Sequence, residues 1–320
     1  MSFIEVKDLK VHYPIRGGFF NKVIDYVYAV DGVSFVIEEG KTYGLVGESG
    51  SGKSTIGKAI IGLEKIKSGK IIYEGKEIDG KFRNRRSEYN RNVQMIFQDS
   101  LSSLNPKKRV LDLISEPLRN FENLTLDEEK RKVSELLEIV GMNREDIYKY
   151  PHEFSGGQRQ RLGIARAVAT KPKLIIADEP VSALDLSVQA QVLNYMKDIQ
   201  EQFGLSYLFI SHDLGVVKHM CDYMFIMYRG RFVETGKKND IYKNPEHFYT
   251  KRLIAAIPEV HPEKRLENKK RRLEIEKEYW KNEKKYYDEN GRVFDLKKLT
   301  DTHFVALKDE IVKNNGKGGK

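Results

Sequence analysis

The hydrophobic pattern of the chain changes period along its length, and the changes divide it into regions. Residues Phe3 to Tyr13 alternate apolar and polar, as do Ala29 to Ile37 up to the turn Glu39-Gly40-Lys41. This is the signature of strands with one buried face. A further strand pair is predicted around Ile71-Ile72-Tyr73, turned by Glu74-Gly75-Lys76. Together these predict a small antiparallel sheet, with a Gly/aromatic insertion, Gly17-Gly18-Phe19-Phe20, between its first two strands. Elsewhere apolar residues run without alternation. Thr42 to Val46 and Val93 to Phe97 are short examples, and Lys173 to Ala177 and Tyr207 to Ile210 read as strands buried on both faces of a parallel sheet. A hairpin closes the series, with Met224 to Tyr228, the turn Arg229-Gly230, and Arg231 to Glu234. Helical period appears between these runs. Thr125-Leu126-Asp127-Glu128 is a capping box, and Val133, Leu136, Leu137 and Val140 recur at i, i+3, i+4, i+7 until Gly141 ends the helix. That stripe is core. The reading is an α/β fold whose main sheet is mostly parallel.

Chemistry enters where one apolar run meets glycines. Gly47-Glu48-Ser49-Gly50-Ser51-Gly52-Lys53-Ser54-Thr55 lies between the run 42–46 and the helix-competent Ile56 to Leu63, and matches the phosphate-binding loop G-x-x-x-x-G-K-[ST]. The glycines let successive N–H groups turn inward around phosphate oxygens, and the helix N-terminus adds partial positive charge. Lys53 is expected to reach the β- and γ-phosphates of a nucleotide, and the Ser54 hydroxyl to ligate Mg²⁺.

Four further positions gain meaning beside that loop. Gln98 ends the run 93–97, where an amide can hold Mg²⁺ or the attacking water. Asp178 and Glu179 end the buried run 173–177; Asp178 fits the Mg²⁺-holding acid, and Glu179, one residue further, fits the base that takes a proton from water. His212 follows Tyr207 to Ile210 at the carboxyl end of a predicted parallel strand, where open α/β sheets bind ligands, and is assigned a γ-phosphate contact. Ser155-Gly156-Gly157-Gln158 opens an alanine-rich helix and makes a second anion-binding terminus. One loop already surrounds one face of a triphosphate, so the second is expected to close over a nucleotide held by another subunit. Asp185 is a candidate contact to that partner. An aromatic in the antiparallel sheet can stack on an adenine ring, a contact worth about 1–3 kcal/mol. Tyr13 is the candidate and Tyr28 the runner-up, with ordinary sheet packing the equal alternative for either.

Composition bounds the rest. The 320 residues, 40% hydrophobic, suffice for one large or two ordinary domains. No run approaches the ~18–20 apolar residues of a membrane helix, and the first residues lack a signal peptide's regions, so the chain is expected to stay in the cytoplasm. The single cysteine, Cys221, leaves no internal disulfide and reads as a small buried residue. Of the formal charge of +9, residues 261–320 carry 17 Lys/Arg against 12 Asp/Glu. The signs are mixed there, which favours a solvated helix over a nucleic-acid surface.

With these residues assembled, the chain resembles the nucleotide-binding subunits of ABC transporters over roughly residues 3 to 260. The resemblance implies a RecA-like P-loop NTPase core with an antiparallel β subdomain, an α-helical signature subdomain at about 99–170, and a C-terminal extension over 261–320. By it Gly47 to Thr55 is Walker A, Gln98 the Q-loop, Ser155 to Gln158 the signature with Phe154 in place of the commoner Leu, Asp178 and Glu179 Walker B with its base, Asp185 the D-loop and His212 the switch histidine. Such subunits act as head-to-tail dimers that sandwich two ATP molecules, each between one subunit's Walker A and the other's signature. The stretches 98–106, 150–158, 211–217 and 244–253 further resemble the oligopeptide/dipeptide importer ATPases, with Phe248 where proline is usual. Glu153-Phe154, Gln158, Val181-Ser182 and the Gly17-Gly18 insertion resemble the F-type subunit of that group. The implied partners are a D-type ATPase, two membrane-spanning permeases and, indirectly, an extracellular solute-binding protein, with no nucleic acid. The implied location is the cytoplasmic face of the membrane. Nickel, glutathione or a glycan-derived solute is the alternative cargo. A soluble ABC ATPase acting on ribosomes or nucleic acid is the alternative class. The last residues, Lys313 to Lys320, are expected to be disordered.

Overall fold

Two sheets share the chain, and the first is larger than its alternation predicts. The computed structural model describes residues 2–18, 20–78, 87–99, 103–257, 265–282 and 285–308; parts of the insertion at Phe19, of the stretch 98–106 and of the tail beyond 308 lie outside these. Strands β1 (Ser2–Gly17) and β2 (Lys22–Glu38) form one long antiparallel hairpin. Both continue past the expected ends at Tyr13 and Ala29 because Val23, Ile24, Tyr26, Val27 and Tyr28 are β-branched or aromatic, and Tyr13 pairs with Val27 and Pro14 with Tyr26. Asn21 N–H donates to the Gly18 carbonyl at 3.1 Å across the turn. Both turn residues take positive φ, which Gly and Asn tolerate.

After β3 (Thr42–Val46) and α1 (Lys53–Ile60), β4 (Ser68–Tyr73) pairs with β1, and β5 (Lys76–Glu77) completes the four-stranded sheet β2-β1-β4-β5. Helix α2 (Glu88–Asn92) leads into β6 (Val93–Ile96). A helical layer follows, of α3 (Val110–Arg119), α4 (Leu126–Ile139), two 3₁₀ turns and α5 (Gly156–Val168). The capping box of α4 is present, with Thr125 Oγ1 accepting from Glu128 N–H and the Glu128 carboxylate accepting from Thr125 N–H. Val133, Leu136, Leu137 and Val140 are buried as the stripe predicts.

Strands β7 (Leu174–Asp178), β8 (Ser206–Ser211), β9 (Tyr223–Tyr228) and β10 (Arg231–Lys237) are joined through α6 (Leu186–Phe203) and α7 (Leu214–Met220). The chain then passes through α8 (Lys238–Lys243), α9 (Phe248–Ala255) and α10 (Arg265–Asn282) to β11 (Leu296–Thr300) and β12 (His303–Ala306). The second sheet has the order β11-β12-β10-β9-β3-β8-β7-β6. Its strands β9-β3-β8-β7-β6 are mutually parallel and the other three are antiparallel additions. Leu174 to Ala177 and Tyr207 to Ile210 are wholly buried, as continuous apolar runs require. One apolar cluster fills the space between this sheet and α3 to α6; a second joins its other face to α1 and the antiparallel sheet.

The C-terminal extension is more than a solvated helix. Residue 305 of β12 pairs with Glu234 of β10, so the extension lengthens the main sheet, and Tyr286, Tyr287, Val293 and Leu307 are buried with it. The reason is composition: sparse in α10, aromatic and aliphatic residues concentrate after Asn282. Cys221 is buried, and burial pushes its thiol's pKa up, in keeping with a packing residue.

Candidate nucleotide site

Strand register builds the site. Val46 lies opposite Ser211 between β3 and β8, Asp178 opposite Ile210 between β7 and β8, and Ile96 opposite Ala177 between β6 and β7. The carboxyl ends of four parallel strands therefore finish level, and each delivers its next residues to one edge: Gly47, Gln98, Glu179 and His212. This is the edge where open parallel sheets bind ligands.

The loop between β3 and α1 is shaped by close backbone approach. Gly52 has φ of 107°, and a Cβ there would overlap the carbonyl oxygen of Ala29; one at Gly47 would overlap that of Met227. Only glycine fits either position. Lys53, 4% exposed, folds back so that its Nζ donates to the carbonyls of Gly47 and Glu48, each at 2.8 Å. Burial pushes its pKa down, against the charges of Glu179, Asp178 and Glu48. Ser54 Oγ donates to Asp178 Oδ1 at 2.8 Å. Burial raises the Asp178 pKa in spite of that bond. Glu179 stands at φ of 46°, its N–H tied to the Ile210 carbonyl at 2.9 Å. Its carboxylate accepts from Gln98 Nε2 at 2.9 Å and lies 3.0 Å from His212 Nδ1.

These residues line a cavity of about 870 Å³ with Gly47 to Gly50, Gly52 to Thr55, Gln98, Glu179 and His212 in its wall. Tyr28 lines it too. Tyr13 does not; it sits inside β1, 37% exposed, with its hydroxyl bonded to Thr55 and Glu64. Arg229 and Leu253, to which sequence reasoning gave no role, also contribute. The signal for Arg229 was available in the turn Arg229-Gly230: Gly230 N–H donates to the Ser51 carbonyl at 3.0 Å, which pins that turn against the loop. Leu253 ends the stretch 244–253 that resembles the importer ATPases, but no site role attached to it there; it reaches the cavity from α9.

The donor set fits a triphosphate with a hard cation. Ser51 Oγ is buried with no partner among the described residues. Asp178 is a buried acid whose carboxylate is bonded to Ser54 Oγ, and Lys53 is a buried ammonium that donates to the Gly47 and Glu48 carbonyls. Phosphate oxygens would accept from the Ser51 hydroxyl and the Lys53 ammonium, and a divalent ion would suit the Asp178 carboxylate and Ser54 hydroxyl.

The second anion-binding terminus is elsewhere. Ser155 caps α5, accepting from Gln158 N–H at 3.3 Å while Gln158 Oε1 accepts from Ser155 N–H at 2.9 Å. Ser155, Gly156 and Gln158 are exposed, Gly157 packs on Val188, and none of the four lines the cavity. Asp185 is exposed at the start of α6, beside Leu186 at 82% exposure.

Known proteins resemble this chain in sequence and in fold. The family model described as ABC transporter matches residues 30–182, and that described as oligopeptide/dipeptide transporter, C-terminal region, matches 233–289. The chain is 57% identical over 306 residues, 96% of either chain, to the oligopeptide transport ATP-binding protein OppF of Lactococcus lactis subsp. lactis. It is 48% identical to OppF of Salmonella typhimurium, over 81% of this chain and 79% of that one. Among solved structures it resembles the ATP-binding cassette MJ0796 in a dimeric post-hydrolysis state bound to ADP and phosphate, with a TM-score of 0.64 at 25% identity over 73% of this chain and 98% of that one.

Proposed function

The chain belongs to the ABC transporter family of ATP-binding proteins, and on that premise we propose that it is the F-type ATPase of an oligopeptide or dipeptide importer, seated at the cytoplasmic face of the membrane. The observation that carries the chemistry is the carboxylate of Glu179, held between Gln98 and His212 at the mouth of the phosphate loop. Glu179 accepts the proton of the attacking water, and His212 and Gln98 hold that carboxylate at the γ-phosphate, an arrangement worth about 10²–10⁴-fold in rate. Gly47 to Thr55 bind the phosphates, with Lys53 swinging from its carbonyl partners to the β- and γ-oxygens. Ser54, Gln98 and Asp178 would hold Mg²⁺, which when bound would supply positive charge beside the phosphates. The base stacks on the β1–β2 hairpin, with Tyr28 in the cavity wall and Tyr13 beside Thr55.

Ser155 to Gln158 and Asp185 serve a nucleotide held by a second ATPase, of the D type, because they are exposed and lie off this chain's own cavity. Closure of that pair on ATP and its reopening after hydrolysis is the power stroke. The permease pair is engaged beside Gln98. A groove of about 350 Å³ opens there between β6, α3 and α5, walled by Phe97, Leu104, Glu116, Phe121, Gln160 and Arg166. Gln160 Nε2 is buried in that wall without a partner among the described residues, so the groove offers a polar anchor as well as apolar area. Among the described residues no helix is long and apolar enough to cross a membrane, which fits a subunit attached through partners.

ATP turnover with and without the D-type partner and the two permeases tests the reading. Stimulation by those partners supports it; permeases that neither co-purify with the chain nor change its turnover overturn it.

A further inference from the structure

The phosphate loop is gripped from outside by a residue of the C-terminal region. Glu48 N–H donates to the hydroxyl of Tyr249 at 2.8 Å, and the carbonyl of the same residue accepts from Lys53 Nζ at 2.8 Å. One residue of the loop is thus fixed at both its polar groups, one by the loop's own lysine and one by a side chain two hundred residues away in sequence. Tyr249 is 1% exposed, and its ring centroid lies 4.5 Å from that of Tyr228, which lies 6.0 Å from that of Tyr287 in the extension.

A series of buried hydrogen bonds continues from Tyr249 to the end of the extension. Tyr249 N–H donates to His247 Nδ1 at 3.1 Å, and the N–H groups of His247 and Glu246 donate to the Glu234 carboxylate at 3.0 and 2.9 Å. Glu234 Oε1 lies 2.7 Å from His303 Nε2 on β12, and both side chains are buried. Glu234 reaches three groups at once, so β12 and the first turn of α9 are referred to the same carboxylate. Of the groups in the series, His247 Nε2 is buried without a partner among the described residues. The bonds tie β12 and α9 to β10, and buried hydrogen bonds in such low-dielectric surroundings favour one geometry.

We infer that Tyr249 is a positioning residue for the ATPase reaction, fixing the Glu48 peptide and through it the lysine of the phosphate loop, and that the buried bonds from His303 through Glu234 and His247 hold Tyr249 in place. The C-terminal extension is therefore part of the nucleotide site's support. The inference rests on the ATPase reading above and goes beyond it, since Tyr249 does not line the cavity. Nucleotide binding requires Lys53 to leave the Glu48 carbonyl, and a Glu48 peptide still anchored by Tyr249 keeps the loop open while it does so.

The test compares Tyr249→Phe with Tyr207→Phe in the assembled transporter. Both remove a buried hydroxyl from a packed ring; Tyr207 donates to the Met196 carbonyl at 3.0 Å, at the far end of the sheet. Each variant should lower the thermal midpoint similarly. Tyr249→Phe alone should weaken binding of a fluorescent ATP analogue and raise the KM for ATP roughly two- to tenfold, the range set by one net hydrogen bond, with kcat nearly unchanged. His303→Gln, which keeps a donor toward Glu234, should move KM in the same direction by less. Equal KM in wild type and Tyr249→Phe overturns the positioning role and leaves the ATPase reading intact. A wild-type protein that neither binds nor hydrolyses ATP overturns both.

Discussion

Glu179 and His212 face each other at 3.0 Å across the ends of two adjacent parallel strands, carboxylate oxygen to imidazole Nδ1. The other carboxylate oxygen of Glu179 is occupied by Gln98. The acid is therefore oriented by two partners and hemmed in by strand ends that cannot slide without breaking the sheet.

Replacing Glu179 with Gln keeps the size of the side chain and removes the base. It also replaces one acceptor oxygen with an N–H₂ donor, which cannot pair with Gln98 Nε2. Glu179→Gln should bind ATP normally, lose about 10²–10⁴-fold in turnover, and accumulate as an ATP-bound dimer. Phosphate release and gel filtration with ATP check this; unchanged turnover rejects Glu179 as the base.

Asp178 has its pKa raised by burial, so the native state binds that proton more tightly than the unfolded chain does. The sign follows: without a cation, the stability associated with this group is present at low pH and is lost as pH rises through the raised pKa. Asp178→Asn, whose amide oxygen still accepts from Ser54, should raise the melting temperature of the nucleotide-free protein at pH 7 and abolish the Mg²⁺-dependent part of ATP binding. Calorimetric titration of ATP with and without Mg²⁺ measures the second effect.

His247 shows the opposite sign. Burial lowers its pKa from near 6.5 to about 3. Stability from the neutral ring is fully present above pH 6.5 and is lost as pH falls from there toward 3. Denaturant titrations at pH 7.5, 5.5 and 4.5, conditions on the order of the window just stated, should show a steeper loss in wild type than in His247→Asn. That variant offers an acceptor to Tyr249 N–H and does not titrate.

Ser155 is exposed and off the cavity, so its effect should fall on another chain's nucleotide. Ser155→Arg should leave the ATP affinity of the isolated chain unchanged and lower turnover of the assembled ATPase pair by about 10²-fold or more, as loss of a transition-state donor does. Reduced affinity in the isolated chain rejects the assignment.

Gly52 combines φ of 107° with contact against the Ala29 carbonyl. Gly52→Ala meets both strain and overlap, at a cost of about 1–3 kcal/mol for the backbone alone. The expected outcome is a melting temperature several degrees lower and no measurable ATP binding.

Much of this site was readable from the chain because its parts are local. A glycine loop between a strand and a helix, two acids ending a buried strand, and a serine opening a helix each require only a few neighbouring residues, and their spacing states their geometry. The strands β7 and β8 were legible for the same reason: an uninterrupted apolar run has no exposed face. What the sequence could not give is register. That Val46, Asp178 and Ser211 end level, and so bring Gln98, Glu179 and His212 together, follows from hydrogen bonding between strands far apart in the chain. The hairpin extension that puts Tyr28 in the cavity wall, the reach of Leu253, and the bond from Tyr249 to Glu48 likewise depend on packing across long sequence separations. Local motifs determined which chemistry the chain carries; the folded sheet decided which side chains meet, because only tertiary burial makes one pairing of distant groups lower in free energy than their exposure to water.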